Sequence, residues 1–360
     1  MAYYIGLDVS QKNSAICIVD DKGKVVIEGG ALSRPHDIYG WIKNRVEISE
    51  VAKVGLEAGN LSSWLYSGLI KDGLPVIVLE AFQAHRFLAT QRNKTDKNDA
   101  RGLAQLVRMG EDFLKLVTVR SQASQEARAL LGIRQHLVNQ KVDLENHISG
   151  ILKPFGLLVV RGNVCAEAFR NRVVDVLCVA DDRGINVREI IMPSLNLYRS
   201  ACEQLAILTK RVEDIANDNP VCKRLMTVPG VGPVVSLSFS TAVDYPERFK
   251  KSSDVGAYFG LTPRQYQSGE TNHIIGISKR GDPMVRRHLV QAATVLLMHN
   301  KRWCPLKAWG VKLAKKHGIS KARVAVARKL AIVMHRMWIN AEDFKWQAVA
   351  KEELEGLQLS

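Results

Sequence analysis

The chain predicts an α/β domain followed by helices. We expect a mixed-sheet domain over residues 1–120, a helical coiled-coil arm over 121–217, a mostly helical C-terminal domain over 218–345 and a tail at 346–360. Three observations carry this expectation. The first 110 residues alternate strand-length apolar runs with helical periods in the order βββαβαβα, which a mixed sheet with helices on its faces accommodates. Residues 121–152 and about 194–217 repeat apolar residues at threes, fours and sevens, the seam of paired helices. Asn217-Asp218-Asn219-Pro220 then stops the second helix and opens the last domain.

In chain order, YYIGLDV (3–9) is an apolar strand, NSAICIVD (13–20) a second, and the DDKGK turn leads into a third, VVIEGG (25–30), a three-strand meander. Residues 35–46 read as helix, VAKVGLEA (51–58) as a fourth strand and 61–73 as helix. LPVIVLE (74–80) is a fifth strand, with a helix near 82–91. From Asp96 onward Ala100, Leu103, Ala104 and Val107 recur at helical spacing. In the arm, Leu130, Ile133, Leu137, Leu144, Ile148 and Ile151 form one seam, and Leu205, Leu208, Val212 and Ile215 the other. Such a pair suits an antiparallel arm or a dimer contact. The stretch 153–186 reads as a break, with signals at Lys153-Pro154-Phe155-Gly156 and Asp181-Asp182-Arg183-Gly184.

A chain of 360 residues, 46% hydrophobic and 24% charged, is long enough for two or three domains with real cores. No apolar run reaches spanning length, and MAYYIGLDV enters a strand without a signal-peptide pattern, so a cytoplasmic protein with no membrane segment is expected. The six cysteines (Cys17, Cys165, Cys178, Cys202, Cys222, Cys304) include no CxxC pair, which argues against zinc and against a disulfide framework; most should be buried thiols. The net charge is +15, and residues 245–345 hold 20 Lys and Arg against 6 Asp and Glu. A solvated basic surface explains scattered charge. Confinement to one segment favours a polyanion, and nucleic acid over membrane, because no basic amphipathic helix with an aromatic face stands out.

Within RNKTDKNDARGLAQLVR (92–108), Asp96 and Asp99 lie three apart among Arg92, Lys94, Lys97 and Arg101. Either they serve the helix start, with Thr95 or Asp96 as N-cap and acids favoured by the dipole, or their shared face holds a divalent cation. Asp8 ends the first strand in GLDVS and Glu57 ends the fourth in GLEAG. Chemistry in such sheets gathers at strand ends. If the two strands are neighbours, both acids stand together and the Asp96/Asp99 helix can cross them. Four converging carboxylates repel; with two Mg²⁺ about 3.5–4 Å apart they make a phosphodiester-cleaving site. Arg92, Lys94 and Lys97 would then contact phosphates.

One acid ending strand one, one ending strand four and a D-x-x-D in the last helix resemble the RNase H-like fold of RuvC-type nucleases. The string NKTDKNDARGLA resembles the DEDD transposases of the insertion-sequence 110 family. TVPGVGPVVS (227–236), FGLTPRQYQSGE (259–270) and ISKRGDPMVRRHLVQAA (277–293) resemble that family's C-terminal transposase domain. The similarity covers roughly 3–120 and 222–340. GLDVSQKNSAICIVD also fits the first strands of an actin-like ATPase, but that fold needs a later glycine-rich phosphate loop, and none follows.

The resemblance implies that Ser268, in RQYQSGE, works with the four acids. By itself Ser268-Gly269 is a turn signal, and a hydroxyl is a poor nucleophile until a base or metal assists it. Ser278 in ISKRG competes, its basic surroundings suggesting phosphate contact. Val228-Pro229-Gly230-Val231-Gly232 before an apolar helix resembles a helix-hairpin-helix turn, whose backbone N–H groups can hold phosphate, as can many tight turns. Arg264, Lys279, Arg280, Arg286 and Arg287 form the densest cluster of positive charge near Ser268. KRWCPLKAWGVKLAKKHG (301–318) interleaves Trp303 and Trp309 with lysines, either for stacking and phosphate binding or with the tryptophans in the core.

The expected function is therefore DNA transposase or recombinase of a mobile element. Mg²⁺ would be held by Asp8, Glu57, Asp96 and Asp99, and Ser268 would form a transient phosphoserine link to DNA. The resemblance further implies guidance by a noncoding bridge RNA from the same element, and a homo-oligomer, dimer or tetramer, in which Ser268 of one subunit completes the acids of another. Two other readings stand beside it: a junction-resolving nuclease that uses water with Ser268 a bystander, and a non-catalytic nucleic-acid-binding relic. The complete acid set disfavours the relic.

Overall fold

Strand β1 (Tyr3–Val9) pairs antiparallel with β2 (Asn13–Val19), and β2 antiparallel with β3 (Val25–Leu32). On its other edge β1 runs parallel to β4 (Val51–Glu57), which runs parallel to β5 (Val76–Leu79), giving the sheet order β3-β2-β1-β4-β5. Helices α1 (Pro35–Lys43), α2 (Ser62–Lys71), α3 (Ala81–Leu88) and α4 (Asp96–Arg108) complete the predicted order. The coordinates are a computed structural model and describe residues 1–89, 93–159, 166–268 and 271–346; of Glu111, 266–268 and 271–275 only the backbone is described. Two compact units result, Met1–Arg120 and a second from Ser121 onward.

Alternation along the strands sorts the first unit's core into two layers. Ile5 and Leu7 of β1, Ile16 and Ile18 of β2, and Val54 and Leu56 of β4 pack with Ile38 and Ile42 of α1 and Leu65 and Leu69 of α2. The opposite face carries α4. There Gly6 pairs with Cys17 on one side and with Gly55 on the other. A Cβ on Gly6 would stand 2.2 Å from the Ala100 carbonyl oxygen and 2.3 Å from the Ala104 nitrogen, and one on Gly55 would stand 2.1 Å from a Val107 methyl. Paired glycines thus open a groove in the sheet, and α4 lies in it, burying Ala100, Leu103, Ala104, Leu106 and Val107.

In the second unit α5 (Gln122–Leu152), α6 (Ala166–Asp182) and α7 (Arg188–Asp218) come first. Arg134 Nε donates to Thr209 Oγ1 at 3.0 Å and Tyr198 donates to Glu145 at 2.9 Å, so α5 and α7 run antiparallel. Ile148 and Val212 of the predicted seam are buried, and Leu130, Leu144, Ile151 and Ile215 partly so, but Ile133 is 59% exposed. Ala127 and Leu131 take the buried positions instead, because the apolar stripe drifts around a helix whose contact face changes along its length. The stretch 153–186 is not merely a break: α6 sets Phe169, Val173, Leu177 and Ala180 against Ile148, Leu152, Leu195 and Tyr198. Helix α7 begins before Pro193 and runs through it; buried Ile191 and Leu195 on either side offset the lost hydrogen bond.

Beyond the arm come α8 (Pro220–Leu225), α9 (Pro233–Val243), α10 (Ser252–Tyr258), the antiparallel hairpin β6 (Pro263–Ser268) and β7 (Thr271–Ile277), then α11 (Pro283–Thr294), α12 (Pro305–His317) and α13 (Ile319–Asn340). Val326, Ala327, Leu330, Ala331 and Met334 of α13 centre a core with Phe239, Phe259, Val285 and Leu289. Asp244, at φ 60, receives bonds from the Ser121 nitrogen (2.6 Å) and hydroxyl (2.8 Å) and from the Ser124 hydroxyl, fixing the start of α5. Cys17, Cys222 and Cys304 are buried thiols as expected, Cys202 is half-buried and Cys178 exposed; Cys165 lies outside the described residues. Among the described residues no helix is long and apolar enough to cross a membrane.

The groove makes a specific stability prediction. Gly6→Ala should lower stability by about 1–3 kcal/mol, because the obstruction is α4 backbone. Gly55→Ala should do the same, but adding Val107→Ala should restore most of the loss, since there only a methyl group obstructs. Thermal melts of the three variants would check this; a Gly6→Ala protein melting with the wild type would show that α4 does not need the groove.

Candidate active site

Parallel pairing in register, Gly6 with Gly55 and Leu7 with Leu56, carries Asp8 and Glu57 to adjacent positions at the same end of the sheet. Side chains alternate along a strand, so both acids share the glycines' face, the one covered by α4. The start of α4 shows which residue caps it. Thr95 is the N-cap, its Oγ1 accepting from the Asn98 nitrogen at 3.2 Å. Asp96 and Asp99 lie in the first turn without capping it, and Asp99 is only 8% exposed.

The electrostatics show that the acids converge. Burial first, and then the charges of Asp96, Asp99 and Glu57, push the Asp8 carboxyl up to about 6, with Lys94 opposing them. Glu57 is also raised, first by burial and then by Asp99 and Glu80, while His85 and Lys94 pull it down. Among the described residues none of the four has an ion-pair or side-chain hydrogen-bond partner, whereas nearby Glu28 has two cationic ones. Arg101 donates to it at 2.7 Å and Lys97 sits at 2.8 Å. The Arg101 bond above all holds Glu28 down at about 2. A donor set of four carboxylates is hard and anionic, the chemistry that Mg²⁺ prefers. Among the described residues no three His, Cys, Asp or Glu side chains form a ready-made cage for one ion, so the acids are gathered without being closed.

The cations predicted to meet nucleic acid divide by what they do. Lys94 is exposed and its charge reaches both Asp8 and Glu57. Lys97 holds Glu28, and Arg92 lies outside the described residues. In the second unit Arg264, Lys279, Arg280 and Arg287 are exposed. Arg286 instead donates to the Phe259 and Arg280 carbonyls, at 3.0 and 3.3 Å, bracing the base of the hairpin. Gly260 and Gly281 let that base close: a Cβ would fall 2.1 Å from the Arg280 carbonyl oxygen at Gly260 and 1.9 Å from that of Tyr258 at Gly281. Ser268 ends β6 opposite Thr271, at the far tip of the hairpin; its side chain lies outside the described set. Ser278 belongs to the base, its nitrogen bonded to the Thr262 carbonyl.

Several residues that shape the site escape a reading centred on acids. Gly6 and Gly55 precede the acids in the matching tripeptides GLD and GLE, a repeat that could have revealed them. Glu28 and Arg101 are 73 residues apart and leave no local signal. Another pair only looks catalytic. Ser238 and His288 are 2.9 Å apart, but His288 is 3% exposed, and burial with Arg134 and Arg287 drives its pKa down to about 4. It is a core contact. The PGVG turn is likewise packing: Val228, Pro229 and Val231 are buried, and a Cβ on Gly230 would stand 2.5 Å from the Ala292 carbonyl oxygen.

Comparison with known proteins finds two separate family matches along the chain. A transposase model of the DEDD type from IS110 elements matches residues 5–156, and a model of the transposase IS116/IS110/IS902 family matches 222–306. The chain is 28% identical over 352 residues to the transposase for insertion sequence element IS1111A of Coxiella burnetii (strain RSA 493 / Nine Mile phase I), covering 95% of this chain and 91% of the relative. It is 30% identical over 240 residues to the transposase for insertion sequence element IS1328 of Yersinia enterocolitica, covering 66% and 70%.

The raised Asp8 pKa yields a prediction with a definite sign. A carboxyl whose pKa rises from 3.8 to about 6 on folding opposes folding when ionised, so stability should fall as pH rises through that window. Asp8→Asn should therefore stabilise the metal-free protein at pH 7, by about 1 kcal/mol after allowance for solvent screening, and have no effect below pH 4. Millimolar Mg²⁺ should raise the melting temperature of the wild type and leave that of Asp8→Asn little changed. Equal melting of the two proteins at pH 7 without metal would contradict the convergence.

Proposed function

This chain belongs to the IS116/IS110/IS902 family of insertion-sequence transposases, and on that premise we propose that it cuts and rejoins DNA through a serine–DNA intermediate. The observation that carries the reading is the acid cluster, in which Asp96, Asp99 and Glu57 all act on Asp8. Among the described residues no cation forms an ion pair with it, and Lys94 acts on it only through its charge. Asp8, Glu57, Asp96 and Asp99 would hold Mg²⁺, which when bound supplies charge neutralisation and an activated oxygen at the scissile phosphate. Lys94, close enough to influence both strand-end acids, would position the phosphate.

Ser268 is the proposed nucleophile. Its Oγ bonds to phosphorus as the bond from phosphorus to one deoxyribose oxygen breaks, and that oxygen leaves carrying a proton. The reverse reaction, with a hydroxyl from another strand attacking, rejoins the DNA and frees the serine. A position at the tip of a hairpin with a braced base suits a group that must reach its target. We further propose, as the family resemblance implies, that a bridge RNA from the same element selects the sites. Homo-oligomers would bring Ser268 of one subunit to the acids of another, with α5 and α7 as the natural contact between copies.

The test uses purified protein, RNA and labelled DNA with Mg²⁺. Replacing any one of the four acids with Asn should slow cleavage about a hundredfold or more while DNA binding persists. Ser268→Ala should abolish both cleavage and the protein–DNA adduct seen on denaturing gels, without weakening binding. Wild-type cutting by Ser268→Ala would overturn the serine mechanism in favour of a water-using nuclease.

A further inference from the structure

From Pro283 to Ala341 the chain runs 59 residues with 13 Lys and Arg and not one Asp or Glu. Such a stretch has no carboxylates of its own to balance it, so its surface is a standing attraction for polyanions. Within it Trp303 is 60% exposed and Trp309 38%, which overturns the core alternative for both. An exposed tryptophan gains little from burial, and here the fold holds one in place.

The loop that presents Trp303 is built. Lys307 in the first turn of α12 is only 8% exposed, an unusual burial for lysine. Its ammonium donates to the Asn300 carbonyl and lies 4.8 Å from the centre of the Trp303 ring. Asn300 also accepts from the Arg302 nitrogen at 2.9 Å. One buried cation thus ties down both the loop and the ring by a hydrogen bond and a cation–π contact, leaving most of the indole in water. Arg302 stacks beside it on Trp346, 3.9 Å from the ring centre. Along α12, Trp309, Lys312 and Lys316 follow at helical spacing on one face, and both lysines are exposed without a carboxylate partner among the described residues.

We propose that Trp303 is a stacking platform for an unpaired stretch of DNA, whose phosphates meet the exposed lysines of α12. Base stacking needs an accessible aromatic face held in one orientation, and a phosphate backbone needs cations that no protein carboxylate has claimed. Both are present within sixteen residues, 301–316. Duplex DNA hides its base faces, so the ring selects unpaired strands and the lysines serve either form. The choice of DNA rests on the transposase reading, because strand transfer exposes unpaired DNA.

Binding of fluorescein-labelled oligo-dT, oligo-U and a duplex of equal length to the full chain, followed by anisotropy in EDTA, tests this apart from cleavage. Trp303→Ala should weaken oligo-dT binding about tenfold and duplex binding less than twofold, and Trp303→Phe should recover most of the loss. Lys312→Gln with Lys316→Gln should weaken all three ligands and flatten their salt dependence. Unchanged oligo-dT affinity in Trp303→Ala, or an equal loss for duplex, would overturn the platform; stronger Trp303-dependent binding of oligo-U would overturn the assignment to DNA. A protein that forms no serine adduct but keeps the Trp303-dependent preference would refute the recombination chemistry and leave the platform standing.

Discussion

Helix α4 lies directly on the sheet, and the first unit is organised around that contact. Side chains normally stand between a helix and the sheet it packs on and keep their backbones apart. Here the hydrogen-bonded neighbours Gly6 and Gly55 remove the side chains between, and the backbone of Ala100 and Ala104 descends into the gap. Two residues further along each strand come Asp8 and Glu57, and at the near end of the helix Asp96 and Asp99. A helix riding higher would carry its acids away from the strand ends. The glycines set the distance over which four carboxylates act on one another.

That proximity is unfavourable by itself. Asp8 is half-buried and raised by three neighbouring acids, with Lys94 alone among its five principal influences working to keep it ionised. The helix stays because other contacts hold it. Leu103, Leu106 and Val107 fill the space over β5 and α3, and Ala100 and Ala104 cover Cys17 and Val19. Glu28 of β3 binds Lys97 and Arg101, on the side of α4 away from the acid cluster. This ion pair is partly buried and bound by two donors, the kind that outlasts solvent screening. Cations near the D-x-x-D motif thus serve two ends: Lys94 faces the acids, while Lys97 and Arg101 fasten the helix.

The second unit uses glycine in the same manner at the hairpin. Gly260 and Gly281 let the strand that enters β6 and the turn that leaves β7 touch through backbone, and Arg286 ties the two with its guanidinium. The residues that look like one basic cluster in sequence therefore differ in role. Arg286 is internal bracing, whereas Lys279, Arg287 and, on α12, Lys312, Lys315 and Lys316 face water. A buried Lys307 beneath an exposed Trp303 repeats the pattern, a cation employed to fix the geometry of a neighbour.

Much of this was determined by sequence alone. The order βββαβαβα, the placing of Asp8 and Glu57 at strand ends and of Asp96 and Asp99 on one helix face follow from periodicity and turn chemistry, which are local. The same locality explains the errors. Ile133 fits the arm's heptad seam, yet it is exposed because the face of α5 that is covered shifts, from the cluster with α9 and the end of α7 to the cluster with α6 and the start of α7. Residues 166–182 lie between two strong break signals, and only the pocket formed by Ile148, Leu152, Leu195 and Tyr198 gives their apolar face something to cover. The second arm helix is expected from about 194, and it begins earlier, at Arg188, and runs through Pro193. Which of the clustered cations braces the fold, and that Trp303 stands in water, depended on partners tens of residues away. Sequence spacing fixes which side chains share a face; the tertiary contacts decide what that face meets, because burial and charge act through space and not along the chain.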